Sequence, residues 1–436
     1  MRIPVFFLLA VRSFFYRRRE YSSLFFACFF GVGVALFALS VNRGMILSLA
    51  DKARIYYGGD YCVLGGESSL TLPLVDEYVP KVEAAFEKCS IPFKISKRFD
   101  YNAFDSAFFF EGAEAHQRVI KGVDFQKERN LLERLSFVQG SLPKENGAFV
   151  ILPLPAARTL GCVVGDEITL LLEDSDGYLN TASFVVSGIY RDSSVFGMYT
   201  SYADFSTLVS AYSMPNSWAN RICIDTFAKN ATEKTALLLQ NALIDEGFRM
   251  FPLVDDKRDF YDVLLSKGFS EPTLALIPLS ANLSDVRIME RAMKMVSFCV
   301  IFLLILIIVS GVGSTWRVIV IRRLVEIGTY RSLGMKRHTL LFSLLSEAAF
   351  LIFLGSSFGV VFCLIAEKII SLFDFSMIPS FDIFLTQGVI VPVTDWSGGA
   401  IIIALVLLST LFVAFWSVRK TVKMMPAAAL SAGEAL

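Results

Sequence analysis

The chain has 436 residues, of which 54% are hydrophobic and 19% charged, and 40 are Phe. Soluble proteins run at about 45–50% apolar and about 25% charged, so a wholly soluble fold could not hide this much apolar surface. Lys+Arg and Asp+Glu balance at 41 each, which removes the global field that a nucleic-acid partner would need. The same hydrophobicity excludes a disordered chain.

A membrane helix needs about 20 apolar residues, because about 30 Å of hydrocarbon is crossed at 1.5 Å per residue. The arm 1–20 comes first. It mixes aromatics with Arg12, Arg17, Arg18 and Arg19, a pattern that suits a helix lying in the headgroup plane. Tyr21–Asn42 is the first uncharged run of spanning length. It starts late and lacks a small-x-small end, so it reads as a retained span and not as a cleaved signal peptide. Ile46, Leu49, Ala53 and Tyr56 follow it at 3-4-3 spacing, which predicts that the helix continues to about 57 as one side of a stalk.

Residues 58–283 form the large segment. Asp76–Cys89 reads as a helix, with Pro80 in its first turn. Glu167–Leu172, a turn at Asp174–Gly177 and Ala182–Tyr190 read as a β-hairpin, and Thr232–Glu246 as a further helix. An α+β domain is expected, with a β-rich part near 136–216. Cys62, Cys89, Cys162 and Cys223 allow three disulfide pairings, yet they are not densely spaced, which favours buried thiols.

Val286, Met289 and Met293 give the other side of the expected stalk and lead into the second span, Met295–Trp316. A basic loop, 317–338, precedes the third span. That span, 339–370, contains the uncharged run Ala348–Ala366. A loop at 371–395 leads to the fourth span, Trp396–Val418, and a tail at 419–436. The arm carries five Arg, and loop 317–338 carries Arg317, Arg322, Arg323, Arg331, Lys336 and Arg337. The tail has Arg419, Lys420 and Lys423, whereas Ser371–Ser417 has no Lys or Arg. By the positive-inside rule both termini and loop 317–338 are cytoplasmic, and the large domain lies outside. The expected fold is a membrane protein of four transmembrane α-helices, with a large α+β extracytoplasmic domain between spans one and two.

Catalytic chemistry is missing. No G-x-x-x-x-G-K-[ST] loop, H-E-x-x-H or C-x-x-C occurs, and the only histidines, His116 and His338, fall on opposite sides of the expected membrane. No catalytic, metal or cofactor residue is assigned, and a membrane-tethered enzyme finds no support. Glu347, a lone carboxylate among apolar residues, is either a functional group or half of a structural pair. Gly355-x-x-x-Gly359, with Gly311 and Gly313, would permit close helix contact.

Glu326 to Met335 reads as a short helix. The carboxylate of Glu326 suits its start, Ile327, Tyr330 and Leu333 share a face, and Gly334 supplies a left-handed cap. Such a helix suits docking in a groove of a soluble partner. The block Arg323-Leu-Val-Glu-Ile-Gly-Thr-Tyr-Arg-Ser-Leu-Gly-Met335, with Glu347 and Gly355/Gly359, resembles the E-I-G-x-x-R-x-x-G signature of FtsX-like ABC permeases. This superfamily includes the MacB efflux pump and the lipoprotein-releasing permeases. Val325 stands where the family often has Arg, and the ending Lys423-x-x-Pro426-x-x-Ala429-Leu430 has Lys for Arg. Val138–Gly140, Val164–Asp166 and Phe184–Ile189 are similar to the family's periplasmic core domain.

The resemblance implies one permease half in a bacterial inner membrane, joined to an identical or homologous second subunit and to a cytoplasmic ABC ATPase dimer that holds the ATP and Mg. Glu326, Ile327, Gly328, Tyr330, Arg331, Leu333 and Gly334 would form the ATPase-coupling helix. The outer domain would move on the stalk to release a lipoprotein or export an amphipathic substrate, with membrane lipid and a periplasmic carrier as further partners. The alternative is a non-transporting mechanotransmission regulator of a cell-wall hydrolase.

Overall fold

The computed structural model describes residues 18–68, 70–71, 74–102, 106–145, 147–192, 194, 196–227, 232–376, 378 and 381–422. The expected interfacial helix before Arg18 and the Lys423–Leu430 ending lie outside the described residues. Two compact units result: one of Met1–Ile46, Glu290–Asp374 and Val389–Leu436, the other of Leu47–Met289 with Phe375–Gly388.

The first unit is built on four helices, Arg18–Tyr57, Ser284–Arg322, Arg337–Ile370 and Trp396–Val422. Each is long and apolar enough to cross a membrane. The helices outrun the uncharged stretches because Lys, Arg, Ala and Leu beyond them are good helix formers. Leu24, Cys28 and Val32 of the first span, Val312 of the second, Leu351 and Ile352 of the third and Val406 of the fourth make a shared core.

Glycine sets how near the first and third spans come. A Cβ on Gly355 would stand 2.8 Å from Cys28 Cβ and 3.0 Å from Phe25 O; on Gly359 it would stand 2.9 Å from Phe29 O and 3.1 Å from Gly33 N. Backbone lies against backbone there, the arrangement for which small residues are used between membrane helices. Gly313 likewise abuts Val413, whereas Gly311 meets nothing within 4 Å and has no such role.

The second unit is organised by a mixed thirteen-stranded sheet among the described residues. Its central run, in spatial order, is Thr273–Pro278, Tyr61–Glu67, Arg221–Asp225, Lys94–Asn102, Val119–Val123 and Thr200–Asp204. The expected hairpin is present as Glu167–Glu173 against Leu179–Tyr190. The helices form as Tyr78–Lys88 and Glu233–Asp245, the latter capped by the Thr232 hydroxyl on Thr235 N. The strands reach well beyond 136–216. Lys94–Asn102 is a central strand despite its four charged residues, because Arg98 and Asp100 are buried within ion pairs. Phe375–Gly388 also joins this unit: Lys52 Nζ lies 3.1 Å from Asp192 Oδ1 and 3.5 Å from Asp382 Oδ1, and Thr386 Oγ1 donates to Ser48 Oγ at 3.1 Å.

All four domain cysteines are free; Cys62 and Cys223 lie opposite each other on paired strands. Of the expected stalk positions, Leu49 and Ala53 are buried, Ile46, Tyr56, Val286 and Met293 half-buried, and Met289 exposed. Ile55, off that stripe, packs with Val123, Phe125 and Leu132.

The far end of the first helix is held by a fully buried arginine. Arg98 Nη1 and Nη2 donate to Tyr56 O at 2.8 Å and Ile55 O at 3.0 Å, while its Nε reaches both oxygens of Glu128 at 2.9 Å. The guanidinium thus satisfies the last helix carbonyls and sits at the negative end of the helix dipole. Gly58, at φ +88°, turns the chain away; a Cβ there would strike Cys223 Sγ and Arg98 Nε. Beside it, Lys121 Nζ donates to Asp100 Oδ2 at 2.8 Å and lies 4.0 Å over the Tyr56 ring. Burial alone would raise the Asp100 carboxyl; Lys121, Arg221 and Arg98 hold it down to about 2.

Gly359→Val should force the first and third spans apart and lower the unfolding midpoint in detergent, by roughly 1–3 kcal/mol of overpacking, whereas Gly311→Ala should leave it unchanged. Asp100 is depressed in the folded state, so its stabilisation is full above the unfolded pKa near 4 and fades as pH falls through 2, amounting to roughly 2 kcal/mol. Asp100→Asn should flatten the loss of stability measured between pH 5 and pH 2.5.

Candidate functional site

The second-span helix stops at Arg322 because Arg323 leaves helical geometry, at φ −99° and ψ 12°. The short helix Leu324–Ser332 then starts, with Glu326 in its first turn and Arg331 in its last, where each charge suits the dipole. Its end is a Schellman motif: Met335 N donates to Tyr330 O at 3.1 Å and Gly334 N to Arg331 O at 3.2 Å. Gly334 takes φ +89°, a left-handed conformation that glycine adopts without strain.

The base of this helix is fixed electrostatically. Arg323 Nη1 donates to Glu347 Oε2 of the third span at 2.5 Å and to the Tyr21 hydroxyl of the first span at 3.1 Å. Tyr21 OH in turn donates to Glu347 Oε2 at 3.1 Å, and Arg323 Nε reaches Glu326 Oε2 at 3.1 Å. The Arg323 and Glu347 side chains are only 8% and 7% exposed. A charge so placed is stable only when paired. The Tyr21 ring lies 6.5 Å from the buried Trp316, stacked. One guanidinium therefore joins the first span, the third span and the first turn of the short helix.

Leu324, Ile327 and Gly328 are buried against their own unit. Ile327 does not share the outward face with Tyr330 and Leu333, as its spacing had suggested: six residues at about 100° each leave 327 and 333 about 120° apart, so burying Ile327 in the span core leaves Leu333 outside. The outward apolar residues are Val325, Tyr330 and Leu333, exposed by 45%, 44% and 80%. Arg331 Nε is buried with no hydrogen-bond partner among the described residues. Of the expected site residues, Glu326 and Glu347 meet at Arg323, Tyr330 and Leu333 face out, and Gly355 and Gly359 lie along the first span. Sequence reasoning missed Tyr21, and it quoted Arg323 without a role. The usable signal was Glu347 itself, since a carboxylate in an apolar span needs a cation within reach.

His116 is exposed beside Glu114, and His338 is exposed too. No group of three or more His, Cys, Asp or Glu among the described residues is placed to hold a metal.

Four spans with a large domain inserted between the first and second, and a clamped short helix between the second and third, define a multi-pass membrane protein of permease architecture. Residues 298–426 match the model of the FtsX-like permease C-terminal family. The likeness is to the C-terminal part of FtsX-like permeases and runs from within the second span to the fourth. Among solved structures, the crystal structure of the periplasmic region of MacB from Actinobacillus actinomycetemcomitans is similar over 44% of this chain and 87% of that one, at 15% identity and a TM-score of 0.31. A search of curated proteins finds no match.

Glu347→Ala should strand a buried guanidinium and cost roughly 3–5 kcal/mol, read as a lower unfolding midpoint of the purified protein in detergent. The apolar double variant Arg323→Met with Glu347→Leu should recover most of that loss. A double variant as unstable as Glu347→Ala would remove the charge pair as the cause.

Proposed function

We propose that this chain is the permease subunit of an ABC transporter and that the outward face of Leu324–Ser332 is where a separate cytoplasmic ATPase engages it. FtsX-like permeases are in general non-enzymatic membrane subunits that work with an ATPase and dimerise. One observation carries the reading: a nine-residue helix and its C-cap expose Val325, Tyr330 and Leu333 while the base is clamped by Arg323 to Glu347 and Tyr21. An exposed apolar face marks a protein contact, and a contact transmits force only if its support does not yield.

The load then has two routes into the spans, through Tyr21 into the first and through Glu347 into the third. The first-span helix runs unbroken from Arg18 to Tyr57, which supports its use as the lever that moves the large domain on the far side. The cargo in this reading is a lipoprotein or another amphipathic molecule handled at the outer leaflet, without a path for it through the bilayer. Two such subunits, identical or homologous, would complete the machine, with both termini cytoplasmic. The seven coupling-helix positions serve two purposes: Tyr330 and Leu333 touch the ATPase, whereas Glu326, Ile327, Gly328, Gly334 and the last-turn Arg331 set the helix in place.

Leu333→Asp should leave the unfolding midpoint unchanged and lower permease-stimulated ATPase activity of the reconstituted complex at least tenfold. Undiminished stimulation in Leu333→Asp and Tyr330→Ala alike would remove this face as the docking surface. Release of a lipoprotein from vesicles to a soluble carrier then separates transport from a purely mechanical role.

A further inference from the structure

The large domain holds a cavity of about 480 Å³, a size that suits small ligands and short peptide segments. It opens where the sheet comes apart. The Arg221–Asp225 strand pairs with Lys94–Asn102 only as far as Arg221 opposite Arg98. Beyond that point the chain peels away, and Trp218–Ala219 pairs with Leu74–Val75 in a separate two-stranded sheet. The next rung, at Asp100, is filled by a side chain: Asn220 Oδ1 accepts from Asp100 N at 2.9 Å and its Nδ2 donates to Asp100 O at 2.8 Å. An amide side chain thus imitates a neighbouring strand. Main-chain groups alternate in direction with period two, so Asn102 directs its own N–H and C=O to the same side. It is exposed, and among the described residues no strand pairs with it on that side.

The walls of the cavity are aromatic. Tyr212 lies 5.0 Å from the Phe99 ring and 5.7 Å from Tyr101, and Phe260 and Tyr261 line the cavity as well. Asp100 and Arg221 also line it, and each carries an unmet hydrogen-bonding atom. Asp100 Oδ1 is a buried acceptor, and Arg221 Nε a buried donor that stands 3.4 Å from Asp100 Oδ2 without hydrogen-bond geometry. Buried polar atoms of this kind are costly until a partner arrives. The charge count leans one way: Arg98, Lys121 and Arg221 are cationic, against only Glu128 and Asp100.

We propose that this cavity binds an extended polypeptide segment bearing an acidic side chain, laid along the open edge of the Lys94–Asn102 strand. An extended peptide presents a donor and an acceptor at each rung, which is what Asn102 offers and what the Asn220 amide already imitates. Its acidic group supplies the missing negative charge at Arg221, and alternate side chains lie on the tyrosines and phenylalanines. A small apolar ligand would leave the edge, Asp100 Oδ1 and the surplus charge unmet. The assignment comes from the domain alone and stands whether or not an ATPase drives the chain.

The test uses the full-length protein in detergent micelles and a fluorescein-labelled peptide, Gly-Thr-Glu-Val-Tyr-Glu-Thr-Gly, followed by fluorescence anisotropy. Saturable binding is expected, at least tenfold tighter than for the same peptide with Lys in place of Glu. Arg221→Gln should weaken it at least tenfold. Asn102→Pro, which removes the exposed main-chain donor at the strand end and fixes φ there, should weaken it at least threefold. Should Arg221→Gln fail to fold, Tyr212→Ala on the half-exposed wall takes its place, with the same tenfold loss expected. No saturable binding, equal binding of the Glu and Lys peptides, or binding indifferent to Asn102→Pro would each overturn the proposal. Full displacement by N-acetyltyrosine alone at comparable concentration would also overturn it, by making the site one for a small aromatic molecule.

Discussion

The membrane unit depends on one ion pair, Arg323 with Glu347. A carboxylate and a guanidinium at 7% and 8% exposure are each prohibitive alone, and together they must hold a fixed geometry. That geometry recruits Tyr21 and Glu326, so the two spans and the short helix cannot shift independently without unpairing a buried charge. Glycine completes the constraint. Gly355 and Gly359 hold the third span against the first at backbone distance for some way beyond the charge cluster. The pair sets position near one end of the helix couple, and the close contact sets separation along it.

A related device recurs at the opposite end of the first helix. Arg98 donates to the last carbonyls of Arg18–Tyr57 and pairs with Glu128, as Arg323 donates to Tyr21 and pairs with Glu347. Each arginine holds a helix end by several donors of one planar group, a geometry that lysine's point charge does not reproduce. A straight α-helix of 40 residues is about 60 Å long at 1.5 Å per residue. Each end of the helix is thus held by a buried guanidinium, which protects it from fraying.

Much of this was legible in the chain. The four spans were readable because uncharged runs of that length have few other uses, and the short helix because Glu326 and Gly334 punctuate it chemically. The sheet was only partly readable. The Glu167–Glu173 hairpin joins two apolar runs through a clear turn, whereas Lys94–Asn102 hides its strand behind Lys94, Lys97, Arg98 and Asp100. Lys97, Arg98 and Asp100 are met by partners 21 to 30 residues away or farther, such as Lys121 for Asp100 and Glu128 for Arg98. Local periodicity carries no trace of such pairings. The same limit explains the missed role of Tyr21, which is 302 residues from Arg323 in sequence. It also explains Ile327: its spacing fixes the angle between it and Leu333, while the packing of the spans decides which of them is covered.

The placement of buried charge also separates the parts that hold from the parts that have room to bind. At Arg98 and Arg323 each guanidinium has a dedicated carboxylate and further acceptors, so these sites are closed electrostatically and act as joints. At Asp100 two cations share one carboxylate, an acceptor oxygen is unmet, and the neighbouring strand has peeled away. A buried cluster held only for stability would gain by losing the spare cation, since replacing buried ions with apolar groups is often neutral or favourable. A surplus charge beside an aromatic cavity and an open strand edge is therefore a cost to folding that a bound acidic segment would offset. In this domain the joints and the receptive site differ less in residue type than in whether their charges are already balanced.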